Sequence, residues 1–263
     1  MIPLTFKFKT KNKYRLDMSW LSKINTSDLN VIKNIEINYG NGLYKIKELF
    51  FISGNDFNNI KIFNSTSKLD NIGCELINKK ITINGSVGYG LAKNMNSGEI
   101  ILNGNAGTNA CSGMSGGSVF IYGNAGDGLC SLPTGKNLGF VDGLIYVQKN
   151  VGANSIIRMR RGNIVIGGNI GKSSCLELIS GTVTILGKIG DEFCRNARRG
   201  TIFIKDKSIT KDYIIANNTD LTFYNFYKIN INKLIKEKLI QTLMPKRYFG
   251  TKNDRELVEL FLL

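Results

Sequence analysis

The stretch Gly98-Glu99-Ile100-Ile101-Leu102-Asn103-Gly104-Asn105-Ala106-Gly107 returns nineteen residues later as Gly117-Ser118-Val119-Phe120-Ile121-Tyr122-Gly123-Asn124-Ala125-Gly126. The closing Ala-Gly belongs to a longer column: Gly88, Gly107, Gly126, Gly152, Gly171 and Gly190, each preceded by Val, Ala or Ile. The steps are 19, 19, 26, 19 and 19 residues, so one repeat carries a seven-residue insertion. A second column, Gly98, Gly117, Gly143, Gly162, Gly181 and Gly200, keeps the same register. A third runs Gly85, Gly104, Gly123, Lys149, Gly168, Gly187 and Asp206, with two departures from glycine. A short fixed period identifies a solenoid, in which each unit buries the next.

Two aliphatic columns follow the second glycines. One is Ile100, Val119, Ile145, Ile164, Val183 and Ile202; the other, two residues on, is Leu102, Ile121, Val147, Ile166, Ile185 and Ile204. Spacing by two puts both on one face of a strand. The intervening residues Ile101, Phe120, Tyr146, Val165, Thr184 and Phe203 vary in chemistry and are expected to meet solvent or a partner. Lys80 to Ile83 supplies the equivalent strand one repeat earlier. The expected fold is all-β: a single right-handed parallel β-helix of about seven coils with glycine corners. Residues 1–70 are read as a β-rich lead-in, 71–207 as the glycine-repeat β-helix, and 208–263 as a C-terminal cap and arm.

The flanks are less regular. Thr5 to Tyr14 alternates like a strand, Leu16 to Ser22 holds Trp20 as a packed plug, and Asn25 to Ile35 reads as a turn or short helix. Strands are expected at Ile35–Tyr39, Leu49–Ser53 and Ile60–Phe63. Beyond Asp206, Leu221 to Tyr227 has β-forming composition, and Ile231 to Leu243 reads as a short amphipathic helix ended by Pro245. This segment is expected to cap the solenoid's open end. Arg247 to Leu263 is expected to be an extended arm or small helix lying against a neighbour.

Few catalytic patterns are present. The chain has no histidine, which removes the commonest general base and metal ligand. No Gly-x-Gly-x-x-Gly occurs, and Gly171-Lys172-Ser173 lacks the first glycine of a phosphate loop because Ile166 stands there. Asp127 and Asp191 lie three repeats apart rather than as a pair. Cys111, Cys130, Cys175 and Cys194 share one register position with Ala92 and Ile156, which makes them a buried apolar column rather than metal ligands. Cys-x-x-Cys spacing is absent, so no metal site is expected in this chain. Asn105, Asn124, Asn150 and Asn169 form a column whose stacked amides can hydrogen-bond along the axis.

The net charge of +15, from 35 basic and 20 acidic residues, favours anionic partners. Nucleic acid is disfavoured, because stacking aromatics are not interleaved with the basic corners. No apolar run approaches the roughly 20 residues that cross a bilayer, and the N-terminus lacks a signal-peptide pattern; a cytoplasmic location is expected. One surface feature stands out. Arg158-Met159-Arg160-Arg161 and Arg195-Asn196-Ala197-Arg198-Arg199 occupy matching corners, aligning Arg160 with Arg198 and Arg161 with Arg199 two repeats apart. At about 10 Å separation they would form a ridge for carboxylate or phosphate groups, or a docking edge for an acidic partner.

The repeat also resembles a known family. Phe51-Ile52-Ser53-Gly54, Leu69-Asp70-Asn71-Ile72-Gly73, Met95-Asn96-Ser97-Gly98 and Met114-Ser115-Gly116-Gly117 carry the resemblance, with the insertion from Leu132 to Gly139 and the Arg158–Gly162 corner. The chain resembles the glycine-rich domain of glutamate synthase large subunits. It resembles more closely the C-type subunits of formylmethanofuran dehydrogenase and of the bacterial formyltransferase/hydrolase complex. Cysteines at four corners, and Phe140-Val141-Asp142 before Gly143, depart from the pattern. The resemblance implies a non-catalytic scaffold in one-carbon metabolism, within tetrahydromethanopterin-linked formaldehyde oxidation. The implied partners are a formyltransferase subunit, an amidohydrolase-like subunit and a B-type dehydrogenase-like subunit. They would handle tetrahydromethanopterin and a furan-type formyl carrier with a polyglutamate tail, and would hold any metal centres. The alternatives are the C-type subunit of a molybdenum or tungsten formylmethanofuran dehydrogenase, and a solenoid that binds anionic ligands or nucleic acid.

Overall fold

The computed structural model describes residues 1–9, 13–216, 221–251 and 258–263. The elements in chain order are β1 (Pro3–Phe8), β2 (Leu16–Asp17), α1 (Leu29–Lys33), β3 (Glu36–Tyr39), β4 (Gly42–Lys45), α2 (Ile46–Leu49), β5 (Phe50–Ser53), β6 (Asp56–Ser65) and β7 (Leu69–Asp70). The repeats contribute β8 (Lys79–Gly85), β9 (Gly98–Asn103), β10 (Ser118–Ile121), β11 (Leu144–Val147), β12 (Asn163–Ile166), β13 (Thr182–Ile185) and β14 (Thr201–Ile204). Then follow β15 (Tyr213–Ile215), α3 (Thr222–Ile235), β16 (Lys246–Thr251) and β17 (Glu259–Leu262).

The molecule is mostly β, with one large sheet in which parallel pairs dominate. Among the described residues this sheet has 13 strands, and its central order, β14-β13-β12-β11-β10-β9-β8-β6, follows the sequence in reverse. Each repeat pairs parallel with the next in the expected register, Ile81 with Ile100, Ile100 with Val119, Val119 with Ile145, and so on to Val183 with Ile202. Both aliphatic columns are fully buried from Ile81 to Ile204. A second line of parallel bridges joins Ala106, Ala125, Val151, Ile170 and Ile189.

The glycine columns answer to two different constraints. Gly181 has φ +97°, a conformation that favours glycine, and its whole column shares it. Gly107 has no such torsion; a Cβ there would sit 2.6 Å from the Gly88 carbonyl oxygen of the preceding repeat. The corners hold a feature that glycine does not mark. Alternate residues are left-handed, as in Asn109-Cys111-Gly113, Asn154-Ile156-Arg158, Ser173-Cys175-Glu177 and Glu192-Cys194-Asn196. In the inner corners their N–H groups bond alternately to the following and the preceding repeat, as Ser173 to Asp191 O, Cys175 to Ser155 O and Glu177 to Arg195 O, and in the last of these corners Cys194 bonds back to Ser174 O. These bonds between repeats offset the strain of the left-handed non-glycine residues.

The asparagine column forms a ladder of a different kind from stacked amides. The Oδ1 of Asn105, Asn124, Asn150 and Asn169 accepts the backbone N–H of Asn124, Asn150, Asn169 and Lys188 at 2.8–3.1 Å. One amide-to-amide bond, Asn124 Nδ2 to Asn105 Oδ1 at 3.1 Å, accompanies it.

In the lead-in, β1 ends at Phe8, and residues 10–12 of the expected Thr5–Tyr14 strand lie outside the described residues. β1 pairs parallel with β6 and antiparallel with β5, which extends the large sheet. Trp20 packs edge-on against Phe6, with ring centroids 5.6 Å apart. The remaining segments form α1 and the hairpin β3–β4.

The C-terminal region departs from the sequence reading in three ways. Leu221 to Tyr227, expected as β, opens a helix. Its apolar residues Tyr224, Tyr227, Ile231 and Ile235 fall at helical spacing, which overrides β-favouring composition. That helix stops at Ile235, followed by left-handed Lys236 (φ 62°), so the expected helix to Leu243 is not formed. Finally, α3 does not close the open end. It lies on the face between the two aliphatic columns and buries Tyr146, Val165, Thr184 and Phe203, which were expected to meet solvent or a partner. Phe203 stacks on Tyr227 at 4.7 Å and on Phe261 at 5.0 Å, and Thr184 Oγ1 lies 2.8 Å from Tyr227 Oη. The open end is covered by β17, which adds a parallel rung to β14 and pairs antiparallel with β16. The C-terminal residues expected to lie against a neighbour therefore complete the chain's own sheet; residues 252–257 of that segment lie outside the described residues.

Truncating Phe203 to alanine checks this placement. Because its ring is fully buried between α3 and β17, we expect a loss of about 3–5 kcal/mol in denaturant unfolding. A solvent-facing ring would cost less than about 0.5 kcal/mol.

Candidate functional site

The basic edge is built by the corners that lead into β12 and β14. In these corners and the one between them Met159, Ala197 and Leu178 point inward and are buried. Their neighbours Arg160 and Arg198 therefore point out, and both arginine pairs are exposed. Backbone bonds fix the corners to the repeats before them, Arg160 N to Phe140 O at 2.9 Å and Arg198 N to Leu178 O at 2.7 Å. Arg161 and Arg199 each precede a glycine of the left-handed column.

Arg160, Arg161, Arg198 and Arg199 line a single open groove of about 500 Å³, with Ile179 and Ser180 between them. No carboxylate among the described residues borders it. Among the described residues none of the four arginines makes an ion pair or a side-chain hydrogen bond. A neighbouring groove of about 570 Å³ shares Ser180 and Arg199 and runs along Gly181, Thr182, Gly200 and Thr201 to Arg247, Phe249 and Glu259. There Arg247 pairs with Glu259 at 2.7 Å and Thr201 Oγ1 donates to Glu259 at 3.2 Å, which leaves Arg199 as the unpaired charge among the described lining residues. Four unpaired guanidinium forks beside one neutralised pair make this edge positively charged.

The other two candidate arginines are occupied differently. Arg158 sits at a left-handed corner position, and its Nε lies 3.6 Å from Glu177 Oε2. Arg195 pairs with Glu192 at 3.0 Å. Neither lines the groove. Sequence alignment placed all six on matching corners, but the side-chain pairing that separates four from two depends on Glu177 and Glu192 in adjacent positions. The continuation through Arg247 and Phe249 is not legible in the sequence, because these residues reach the edge only through the β16–β17 pairing.

A profile described as the GXGXG motif matches residues 73–257. This chain belongs to the GXGXG-motif family. Among solved structures, it is similar to a chain in the X-ray crystal structure of the formyltransferase/hydrolase complex (FhcABCD) from Methylorubrum extorquens in complex with methylofuran. The TM-score is 0.83 at 23% sequence identity, covering 98% of this chain and 98% of that chain, so the two share a fold from end to end. No curated protein matches this chain.

Elsewhere in this GXGXG-motif chain the chemistry is sparse. Among the described residues no cluster of three His, Cys, Asp or Glu side chains could hold a metal ion. No helix there is long and apolar enough to cross a membrane. Asp127 is spent on structure, its Oδ1 accepting Ala153 N at 2.8 Å. Cys111, Cys130, Cys175 and Cys194 are fully buried, form no disulfide, and share one column with Ala92 and Ile156. Burial pushes the thiols of Cys111, Cys130 and Cys175 far up, because a thiolate there would have no water around it. Cys74, half-buried, is raised chiefly by desolvation and then by the nearby Glu75 charge.

Thiol titration tests the column. In native protein at about pH 8, near the ordinary thiol range, a disulfide reagent should modify Cys74 slowly and the four column thiols not at all within minutes. All five should react after unfolding. Rapid native labelling of more than one thiol would contradict the burial.

Proposed function

We propose that this chain is the non-catalytic scaffold subunit of a complex of the formyltransferase/hydrolase type. The observation that carries the reading is the full-length likeness to a chain of that complex, together with membership of the GXGXG-motif family. The absence of histidine and the lack of a paired-carboxylate or metal constellation among the described residues favour a scaffold over a free-standing enzyme. In this reading residues 1–70 lead in, 71–207 wind as a right-handed parallel β-helix, and 208–263 brace it. Three lines support the winding. Strands β8 to β14 pair in parallel, Ala106 to Ile189 form a second parallel line, and the corners bond between repeats. Right-handed crossover is the rule for parallel strands so connected. The complex would work in the cytoplasm. Its partner subunits would bind the pterin, the furan-type carrier and any metal.

Within that assembly the arginine groove suits the polyanionic tail that such a carrier would bring. Guanidinium forks hold carboxylates by paired hydrogen bonds, and at a wet surface they retain a mobile arm loosely.

Co-expression with the transferase and hydrolase subunits of the source organism tests the scaffold. All should elute as one heteromeric species, and leaving this chain out should abolish that species. A complete transferase–hydrolase complex formed without this chain would refute the proposal. Charge reversal at Arg160 and Arg198 tests the groove. With the complex intact, formyl flux to formate should fall by about tenfold at low ionic strength, and the wild-type advantage should fade with salt. Unchanged flux, or a complex that falls apart, removes the groove from carrier handling.

A further inference from the structure

Helix α3 is apolar on both sides. Tyr224, Tyr227, Ile231 and Ile235 face the sheet and are buried. The opposite side carries Phe226 and Ile229, which are 67% and 65% exposed, flanked by the partly exposed Phe223 and Leu234. The helix cannot roll to hide its outer face. Tyr227 is held by Thr184 at 2.8 Å, Tyr224 Oη donates to Thr242 O at 2.6 Å, and Tyr146 Oη donates to Glu237 at 3.1 Å. The Thr242 bond also draws the exposed Leu243 and Met244 alongside the same helix. Exposed large apolar side chains gathered on one helix mark a contact site.

The charges around it restrict the occupant. From Thr222 to Arg247 the basic residues are Lys228, Lys233, Lys236, Lys238, Lys246 and Arg247, and the sole acid is Glu237, already engaged by Tyr146. A second copy of this chain would bring the same lysines against themselves, because a two-fold contact uses one patch twice. A lipid surface would have to desolvate the amide of Asn225, which lies exposed between Tyr224 and Phe226. A protein partner can supply hydrogen bonds to it.

We infer that the outer face of α3 is a docking surface for a different subunit, one that presents an apolar patch rimmed by carboxylates. Phe226 and Ile229 are its anchors, and Lys233 is among the charges that orient the partner. The inference rests on the complex-subunit reading above but adds a location that reading does not contain.

The test uses the full chain, tagged and co-expressed with the transferase and hydrolase subunits of its source organism. The variant Phe226→Glu/Ile229→Glu should melt as wild type does, since both positions are exposed in a helix and glutamate is a good helix former. It should retain at least one of the two subunits about tenfold less well than wild type. Lys233→Glu should weaken retention by a smaller factor that disappears at high salt. Retention unchanged in the double variant, while wild type still captures both subunits, overturns the docking face and leaves the complex reading standing. Capture of neither subunit by wild type overturns both. Light scattering that shows a wild-type dimer and a monomeric double variant assigns the face to a second copy and overturns the inference. So does binding of wild type, but not the variant, to phosphatidylcholine vesicles containing phosphatidylserine.

Discussion

The backbone of each repeat finds its hydrogen-bond partners on the repeats before and after it. Strand positions bond as a parallel ladder, and the corners continue the bonding through alternating left-handed residues whose N–H groups reach forward and back in turn. Because an unpaired buried amide is costly, neighbouring repeats must superpose closely over their whole length. This explains why nineteen residues recur almost without drift, and why the seven extra residues in one repeat lie between Cys130 and Phe140, where they leave the register of β10 and β11 intact. It also explains the Gly88 column, where any side chain would collide with the repeat below.

The same constraint sets a problem at the last strand. β14 would present a row of unpaired groups and an uncovered hydrophobic interior. The chain resolves this with its own C-terminus. β17 supplies one further rung, with Leu260 continuing the buried aliphatic column beside Ile202, and β16 pairs outside it. Between β14 and this rung the chain makes an excursion through α3, which seals the outward side of β11 to β14 with stacked aromatic rings. Sealing one face in this way leaves the outer side of α3 apolar and exposed.

Rigid stacking likewise gives the arginine edge its character. Arg160 and Arg198 are carried two repeats apart by corners whose inward residues, Met159 and Ala197, are locked in the core. Their separation is thus fixed by the backbone, while the guanidinium groups remain free to reorient in water. A rigid base with mobile charged tips suits loose, repeated contact with an anionic chain better than tight binding. Where a glutamate falls within reach, as at Arg158 and Arg195, the arginine is drawn into a surface ion pair instead.

Periodicity determined most of this architecture. The strands from Ile81 to Ile204, their parallel register, the buried aliphatic columns and the inward cysteine column all follow from residues that repeat at one spacing, since equal spacing in a stack means equal environment. The alignment of Arg160 with Arg198 and of Arg161 with Arg199 follows for the same reason. What lies outside the repeat was decided by tertiary contact. Leu221 to Tyr227 has β-favouring aromatic composition, yet it is helical because Tyr224, Tyr227 and Ile231 gain burial on Phe203 and Thr184 only at helical spacing. Whether Tyr146 to Phe203 meet water could not be read locally, because the cover arrives from α3, which begins only at Thr222, beyond the last repeat. The split of the six arginines into a free group of four and two paired ones likewise depends on which acidic side chains the stack brings within reach, a matter of three-dimensional placement that sequence register alone does not contain.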